Sequence, residues 1–305
     1  MLLEELCQGS RSDGRPFLCL EVNPPRGTDL EPIFERLEGQ LDGLDFLNVT
    51  DSALARMKMA ALPFASLLKA RTRIEALVNF SCRDRNTIAM QADLLAAWAT
   101  GVRSVVALTG DAVTVGDAPE TKAVFELNSV GLLNLIKKLN SGSDNVGQPI
   151  KGAPSFQMGV VVNPNARNAS AELKRLVRKR EAGARYALSQ PVFDAQAARR
   201  FFIEARSVGV PILMGLLPLK SSGAALGVAK VPGIKLSGSV EELLKRPPEE
   251  DLSDKFIAHC LMLARETRDL VAGFHVISGA TPKLGLALTR ELVREFSVTV
   301  QGGEI

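Results

Sequence analysis

Glu21 is a carboxylic acid set in an apolar run, FLCLEV, with Leu18, Leu20 and Val22 as neighbours. Apolar surroundings penalise the charged form of an acid, so its pKa rises and it becomes fit to donate a proton near neutral pH. The plainer alternative is a carboxylate paired with a barrel arginine. Asp111 follows VVALTG, where Gly110 allows close approach of the backbone to a ligand. Its carboxylate then faces whatever that strand opens onto; otherwise it caps the next turn. Gln190 both donates and accepts, which suits a flat heterocycle with alternating donors and acceptors. Its alternative role is loop closure by a buried amide.

Other candidates carry less. CRDRN, Cys82–Asn86, reads equally as a solvated loop with internal ion pairs. Lys174, Arg175, Arg178, Lys179 and Arg180 share one helical stretch, read as a solvated face with phosphate contact as the alternative. Cys82 has no histidine near it in sequence and reads as a small buried hydrophobe. His259-Cys260 is not metal-ligand spacing, and no metal is expected. His275 reads as a core or rim residue.

The elements that must position these groups alternate. Strands are expected at 17–22, 46–50, 76–82, 104–108, 158–162, 186–189, 212–216 and 274–277, with apolar runs such as VVAL and MGVVV suited to parallel strands buried on both faces. Helical patterns lie between, including 87–100, 128–139, 170–182, 195–208, 254–271 and 281–296. Several stop at a glycine before the next strand: Gly101, Gly183, Gly209. Eight β–α repeats in 305 residues predict an α/β fold, a single-domain (βα)₈ TIM barrel over 1–305, with 1–15 as an N-terminal extension and 232–250 as an insertion after strand seven. The rival doubly wound sheet lacks its GxGxxG turn, and no GxxxxGK[ST] loop is present. In a barrel the strand C-termini carry function, and Glu21, Thr50-Asp51, Cys82-Arg83-Asp84, Gly110-Asp111, Asn163-Pro164-Asn165 and Gln190 all fall there.

Composition excludes several classes. Charge is +3 from 37 basic and 34 acidic residues, too even for a nucleic-acid binder. One Trp and one Tyr give no stacking platform for single strands. No run of about 18 apolar residues predicts a membrane span. The first residues have no long apolar segment and do not read as a secretory signal. Cys7, Cys19, Cys82 and Cys260 show no CxxC spacing, so a reducing cytoplasm is expected.

LEVNPPRG, VNFSCRDRN, GVRSVVALTGD, NPNAR, KREAGARYALSQPVFD, GLLPLKSS and VPGIKLS, in this order and spacing from about Phe17 to Leu286, resemble the methylenetetrahydrofolate reductase family. The CRDRN, NPN and QPVF variants look closest to the branch found in acetogens and fused to homocysteine methyltransferase modules. The resemblance implies a barrel that binds a flavin, FAD or alternatively FMN. It also implies NAD(P)H as donor and reduction of 5,10-methylenetetrahydrofolate to 5-methyltetrahydrofolate. It makes Glu21 the general acid, Asp111 the carboxylate that stabilises cationic folate, and Gln190 the amide that holds the pterin. Thr50, Asn79, Gly110, Asp111, Asn163, Arg167, Arg178 and Lys179 would contact the cofactor. The chain departs from the better-known branch at Asn79, Thr109, Asn163, Arg167, Ile277 and Thr281, which leaves the flavin and the donor open. Further readings are a subunit taking electrons from a partner protein and a folate-binding barrel without catalysis. A homo-oligomer is expected.

Overall fold

Apolar β-rich runs separated by helical segments leave each strand two faces to bury. Closing the sheet on itself under a shell of helices buries both. The computed structural model describes residues 2–231, 233–236, 238–279 and 281–297. Pro232 and Ser237 of the expected insertion lie outside them. The strands are β1 Phe17–Val22, β2 Phe46–Val49, β3 Glu75–Ser81, β4 Ser104–Leu108, β5 Gln157–Val162, β6 Tyr186–Pro191, β7 Ile212–Leu216 and β8 Gly273–Val276. They form one closed parallel barrel in sequence order, with β8 pairing back onto β1. The expected TIM barrel is therefore the observed fold.

Side chains alternate across the wall. Leu18, Leu20, Leu47, Val49, Ala76 and Val78 face the helices. Phe17, Cys19, Phe46, Leu77, Val106, Tyr186 and Leu213 fill the interior. Burying such side chains contributes about 1.5–3 kcal/mol each. Leu6, fully buried, joins the interior cluster from the helix Leu2–Gln8. Arg185 pairs with Glu4, and the Cys7 thiol donates to Gln157. Residues 185 and 157 stand where β6 and β5 begin, so the N-terminal extension caps the end of the barrel opposite the strand C-termini. The sequence reading missed that helix because it is short and its one decisive contact is long-range.

The glycines after the helices have positive φ as expected, at +96°, +113° and +70° for Gly101, Gly183 and Gly209. The expected helix 195–208 is an α-helix, Ala195–Ala205, continued by a 3₁₀ turn, Arg206–Val208. The excursion after β7 has a satellite core of Phe193, Leu217, Leu219, Ala225, Val240, Leu252 and Phe256, which seats it over the barrel mouth.

Candidate active site

Alternation from Phe17 and Cys19 points Glu21 into the barrel, at the same height as Asn48 on β2. Two donors converge on one carboxyl oxygen: Nδ2 of Asn23 at 3.2 Å and the amide of Gly279 at 3.1 Å both reach Oε1. Oε2 makes no hydrogen bond among the described residues, and it is the oxygen left to carry a proton. Burial raises the pKa of Glu21, and hydrogen bonding from the Gly279 amide, the Asn23 side chain and the Ser278 amide pulls partly against that rise. The Thr50 hydroxyl donates to Oδ1 of Asn23 at 2.7 Å, which fixes the Asn23 amide with its NH₂ toward the acid. A barrel arginine does not pair with Glu21 among the described residues, so the plainer reading is not what the structure shows.

The interior stays polar at this level and one rung deeper. Asn48 donates to the Leu77 carbonyl at 2.8 Å and to Oδ1 of Asn79 at 2.9 Å. Asn48 Oδ1 and both ring nitrogens of His275 are buried without a hydrogen-bond partner among the described residues. Burial lowers the His275 pKa to about 4, so the ring is neutral. Unpaired buried polar atoms cost free energy, and they cluster at sites that act on ligands more often than elsewhere.

Gln190 owes its placement to a break in β6. The β6–β7 register shifts between Leu188 and Pro191. Ser189 Oγ takes the β7 hydrogen bond from the amide of Gly215 at 2.8 Å and donates to the Gln190 carbonyl at 2.8 Å. Such a bulge re-aims a side chain. Gly215 makes it possible, because a Cβ there would lie 2.6 Å from the Ser189 carbonyl oxygen. The Gln190 side chain is left without a hydrogen bond to protein among the described residues, free for a ligand. The expected strand 186–189 ends early because the sequence shows no bulge.

Asp111 stands exposed at the end of β4, and its Oδ2 accepts the amide of Leu54 at 2.8 Å. Asp117 similarly accepts from Met57 at 3.1 Å. The two carboxylates clamp the loop after β2, where Ser52, Leu54 and Ala55 hold positive φ of 44°, 56° and 53°. Residues other than glycine pay roughly 1–2 kcal/mol each in that region, so the clamp sustains a strained loop at the rim. Gly110, φ +100°, is needed locally, since a Cβ would strike Ser81 Oγ. Asp111 therefore spends one oxygen on structure and keeps Oδ1 free among the described residues.

Asn163 and Arg167 line a rim cleft of about 700 Å³ with Asn165, Lys230 and Lys235. Arg178 and Lys179, also implied as cofactor contacts, are not brought to it. They lie in the last turn of the helix Ala169–Glu181, which runs back toward the far end of the barrel. Lys179 is committed to the Val161 carbonyl at 2.7 Å, and burial lowers its pKa. Arg178 is exposed on the outside. Cys82 is buried with its thiol pushed up to about 12, which bears out the inert reading. In CRDRN, Arg85 pairs with Asp51 at 2.7 Å and Asp93 at 3.0 Å, and Arg83 with Asp84 at 2.8 Å, an internal ion network. Sequence reasoning missed the roles of Asn23 and Asn48 and the cleft lysines Lys230 and Lys235; the proline after Asn23 and the polar residue in LNV were the only local signals. No group of three or more His, Cys, Asp or Glu able to hold a metal occurs among the described residues. No helix there is long and apolar enough to cross a membrane.

The methylenetetrahydrofolate reductase family model matches residues 6–288, nearly the whole chain. The chain belongs to the methylenetetrahydrofolate reductase family of enzymes. A 5,10-methylenetetrahydrofolate reductase of Pectobacterium carotovorum is 29% identical over 215 residues, 68% of this chain and 66% of that protein. The Escherichia coli K12 reductase of the same name is 24% identical over 290 residues, covering 92% of this chain and 91% of its own. A probable NADH-type reductase of rice is 22% identical over 98% of this chain, which spans about half, 52%, of that longer protein. Among solved structures, a Clostridium thermocellum protein described as binding two copies of 5-methyl-5,6,7,8-tetrahydrofolic acid superposes with a TM-score of 0.70. It shares 15% identity and covers 97% of this chain and 100% of that one. At that identity the likeness carries the fold alone.

The site suits the cofactor of such an enzyme. A polar, cationic cleft opens at the β5 rim, buried polar atoms of Asn48 on β2 and His275 on β8 lack partners among the described residues, and the Gln190 side chain makes no hydrogen bond to protein there.

Proposed function

We propose that the chain reduces 5,10-methylenetetrahydrofolate to 5-methyltetrahydrofolate with a bound flavin, FAD or FMN, fed by NAD(P)H, in the cytoplasm. The observation that carries this is the acid at Glu21, with both donors on Oε1 and the free Oε2 turned to its task. A flavin, when bound, would supply hydride-transfer chemistry. The chain's residues open the folate's five-membered ring and hold the product of that opening.

Ring opening breaks the bond between the methylene carbon and N10 of the folate. Glu21 gives its proton to N10, and the carbon remains on N5 as a cationic iminium. Burial raises the Glu21 pKa, which favours the protonated form that this step consumes. Thr50 and Asn23 hold the carboxyl in place, which limits the motion lost on reaching the transition state. Asp111 at the rim offers Oδ1 toward the cationic folate, a favourable opposite charge. Gln190 holds the pterin edge, and Asn79 and Thr50 close the interior side of the pocket.

The test is spectroscopic and kinetic. Purified protein should show absorption bands near ~375 and ~450 nm from the flavin that carries the redox chemistry. It should also convert 5,10-methylenetetrahydrofolate to the 5-methyl form with NADH or NADPH. Absence of folate turnover with either nucleotide and with reduced viologen would refute the reading. Turnover with viologen alone would assign the donor role to a partner protein. A non-catalytic barrel is disfavoured by the poised, unpaired Oε2 of Glu21, which a mere binding site does not need.

A further inference from the structure

The strand register sorts the barrel interior into layers, each built from alternate strands. Glu21, Asn79, Val161 and Gly215 form one layer, on β1, β3, β5 and β7. Asn48, Val106, Leu188 and His275 form the next layer toward the barrel floor, on β2, β4, β6 and β8. Strand tilt sets Asn48, the register partner of Glu21, in this lower layer. β2 and β8 flank β1, so Asn48 and His275 are neighbours in their layer and lie beneath the acid on its two sides.

The lower layer divides into an apolar side and a polar side. Val106 and Leu188 pack into the interior cluster. Asn48 spends both amide hydrogens toward β3, on the Leu77 carbonyl at 2.8 Å and on Oδ1 of Asn79 at 2.9 Å. Those two bonds fix the amide and leave Oδ1 on the side away from β3, which is the β1 side. Asn48 Oδ1 and both ring nitrogens of His275 are buried without a hydrogen-bond partner among the described residues. Oε2 of Glu21, just above, has none there either, since its two side-chain donors both go to Oε1. Buried polar atoms grouped in this way are what an internal water joins, typically with about three hydrogen bonds. Beyond Glu21 and His275 themselves, the titratable side chain next to these two layers is Cys19, and burial keeps its thiol protonated.

We propose that Asn48 and His275 hold one buried water beneath Glu21, and that this water keeps the proton on Oε2 between turnovers. The water donates one hydrogen to Asn48 Oδ1 and the other to the lone pair of the neutral His275 ring. A lone pair of the water is then what faces the acid. Such a face accepts a hydrogen bond from a carboxylic acid and repels a carboxylate. Asn48 and His275 are thus positioning residues that act on Glu21 through the water. The water site stands on the fold alone, whereas its effect on the proton rests on the acid role proposed for Glu21.

The experiment is a high-resolution crystal structure of the full chain, paired with pH–rate profiles for folate reduction. The crystal structure should show one ordered water within hydrogen-bond distance of Glu21 Oε2, Asn48 Oδ1 and a His275 ring nitrogen. A dry layer, or a water that fails to bridge Glu21 to the layer below, overturns the proposal. His275→Phe keeps a ring and removes the acceptor, which frees one hydrogen of the water to stabilise the carboxylate. The pKa of the acid then falls. Because the acid acts in its protonated form, the alkaline limb should move to lower pH by about half to one unit, the scale of one hydrogen bond. His275→Gln, whose amide oxygen accepts, should return the limb toward its wild-type place. A limb that stays put in His275→Phe, with stability alone reduced, overturns the proposal as well. Folate reduction that survives Glu21→Gln would sink the acid role and leave the water site standing. A missing water, with Glu21→Gln inactive, would sink this inference alone.

Discussion

The amide of Gly279, just beyond β8, donates to Oε1 of Glu21 on β1 at 3.1 Å, and the Ser278 hydroxyl donates to the Glu21 main-chain carbonyl at 2.8 Å. The seam where the barrel closes thereby holds both the backbone and the side chain of the candidate acid. It leaves Oε2 as the oxygen that can carry and release a proton. Replacing Glu21 by Gln keeps the shape and removes the proton. Folate reduction should fall by roughly 10²–10⁴ fold, the usual scale for a general acid. Oxidation of NAD(P)H by the flavin should survive. Stopped-flow measurement of the two half-reactions checks this, and unchanged folate turnover would refute the acid role.

Asn23 tunes that acid. Its amide donates to Oε1 and lowers the Glu21 pKa against the rise caused by burial. In Asn23→Ala one of the opposing donors is gone, so the pKa rises further. A general acid must be protonated to act, so the alkaline limb of the pH–rate profile should move to higher pH. Thr50→Val, which frees the Asn23 amide to rotate, should move it in the same direction by less. A profile that stays put in both variants would separate Asn23 from the acid.

The same burial has a stability consequence of definite sign. Glu21 has a folded-state pKa above its unfolded value of 4.5. The folded protein therefore binds more protons in that window, and stability falls as pH rises from the unfolded value through the folded one. Glu21→Gln removes this loss. Denaturant midpoints should show the variant gaining on wild type as pH rises, although it has lost activity.

Much of this arrangement was legible in the chain. Strand parity follows from FLCLEV itself: Phe17 and Cys19 pack inward, so Glu21 must too. Gly110-Asp111 and Gln190 sit at strand ends because the apolar runs before them are complete. Contacts between distant segments were not legible. The Gly279 donor to Glu21 is 258 residues away, and Asp111 turned out to hold the strained loop at Leu54, 57 residues earlier. Helical spacing gave no warning that Lys179 reaches the Val161 carbonyl, because a long side chain chooses its partner in three dimensions. The β6 bulge hid for a related reason: the glycine that permits it is on β7.

That bulge makes Gly215 a remote determinant of where Gln190, the proposed pterin-holding amide, is aimed. In Gly215→Ala the new methyl meets the Ser189 carbonyl oxygen at 2.6 Å, and β6 must shift. Overpacking of this kind costs typically about 1–3 kcal/mol. The Gln190 side chain moves with its backbone, so KM for folate should rise while the flavin still accepts hydride at the wild-type rate. Gln190→Ala should raise KM similarly with no loss of stability. If Gly215→Ala lowers stability without touching KM, the bulge is packing alone and does not aim Gln190.

His275 makes a separate, acid-side prediction. Strand register sets it beside Cys19 on β1 and Gly215 on β7, and neither supplies a charge. Burial lowers its pKa from 6.5 to about 4. The unfolded chain takes up a proton here that the folded chain refuses, so stability is fully present above pH 6.5 and is lost as pH falls toward 4. At about 1.4 kcal/mol per unit, the loss attributable to this one ring approaches about 3 kcal/mol. His275→Gln cannot titrate and should flatten that part of the curve. Urea midpoints measured from pH 7 to pH 4 on both proteins decide the matter. Parallel curves would mean that His275 titrates in the folded barrel as it does in the unfolded chain, and the neutral-ring assignment would then fall.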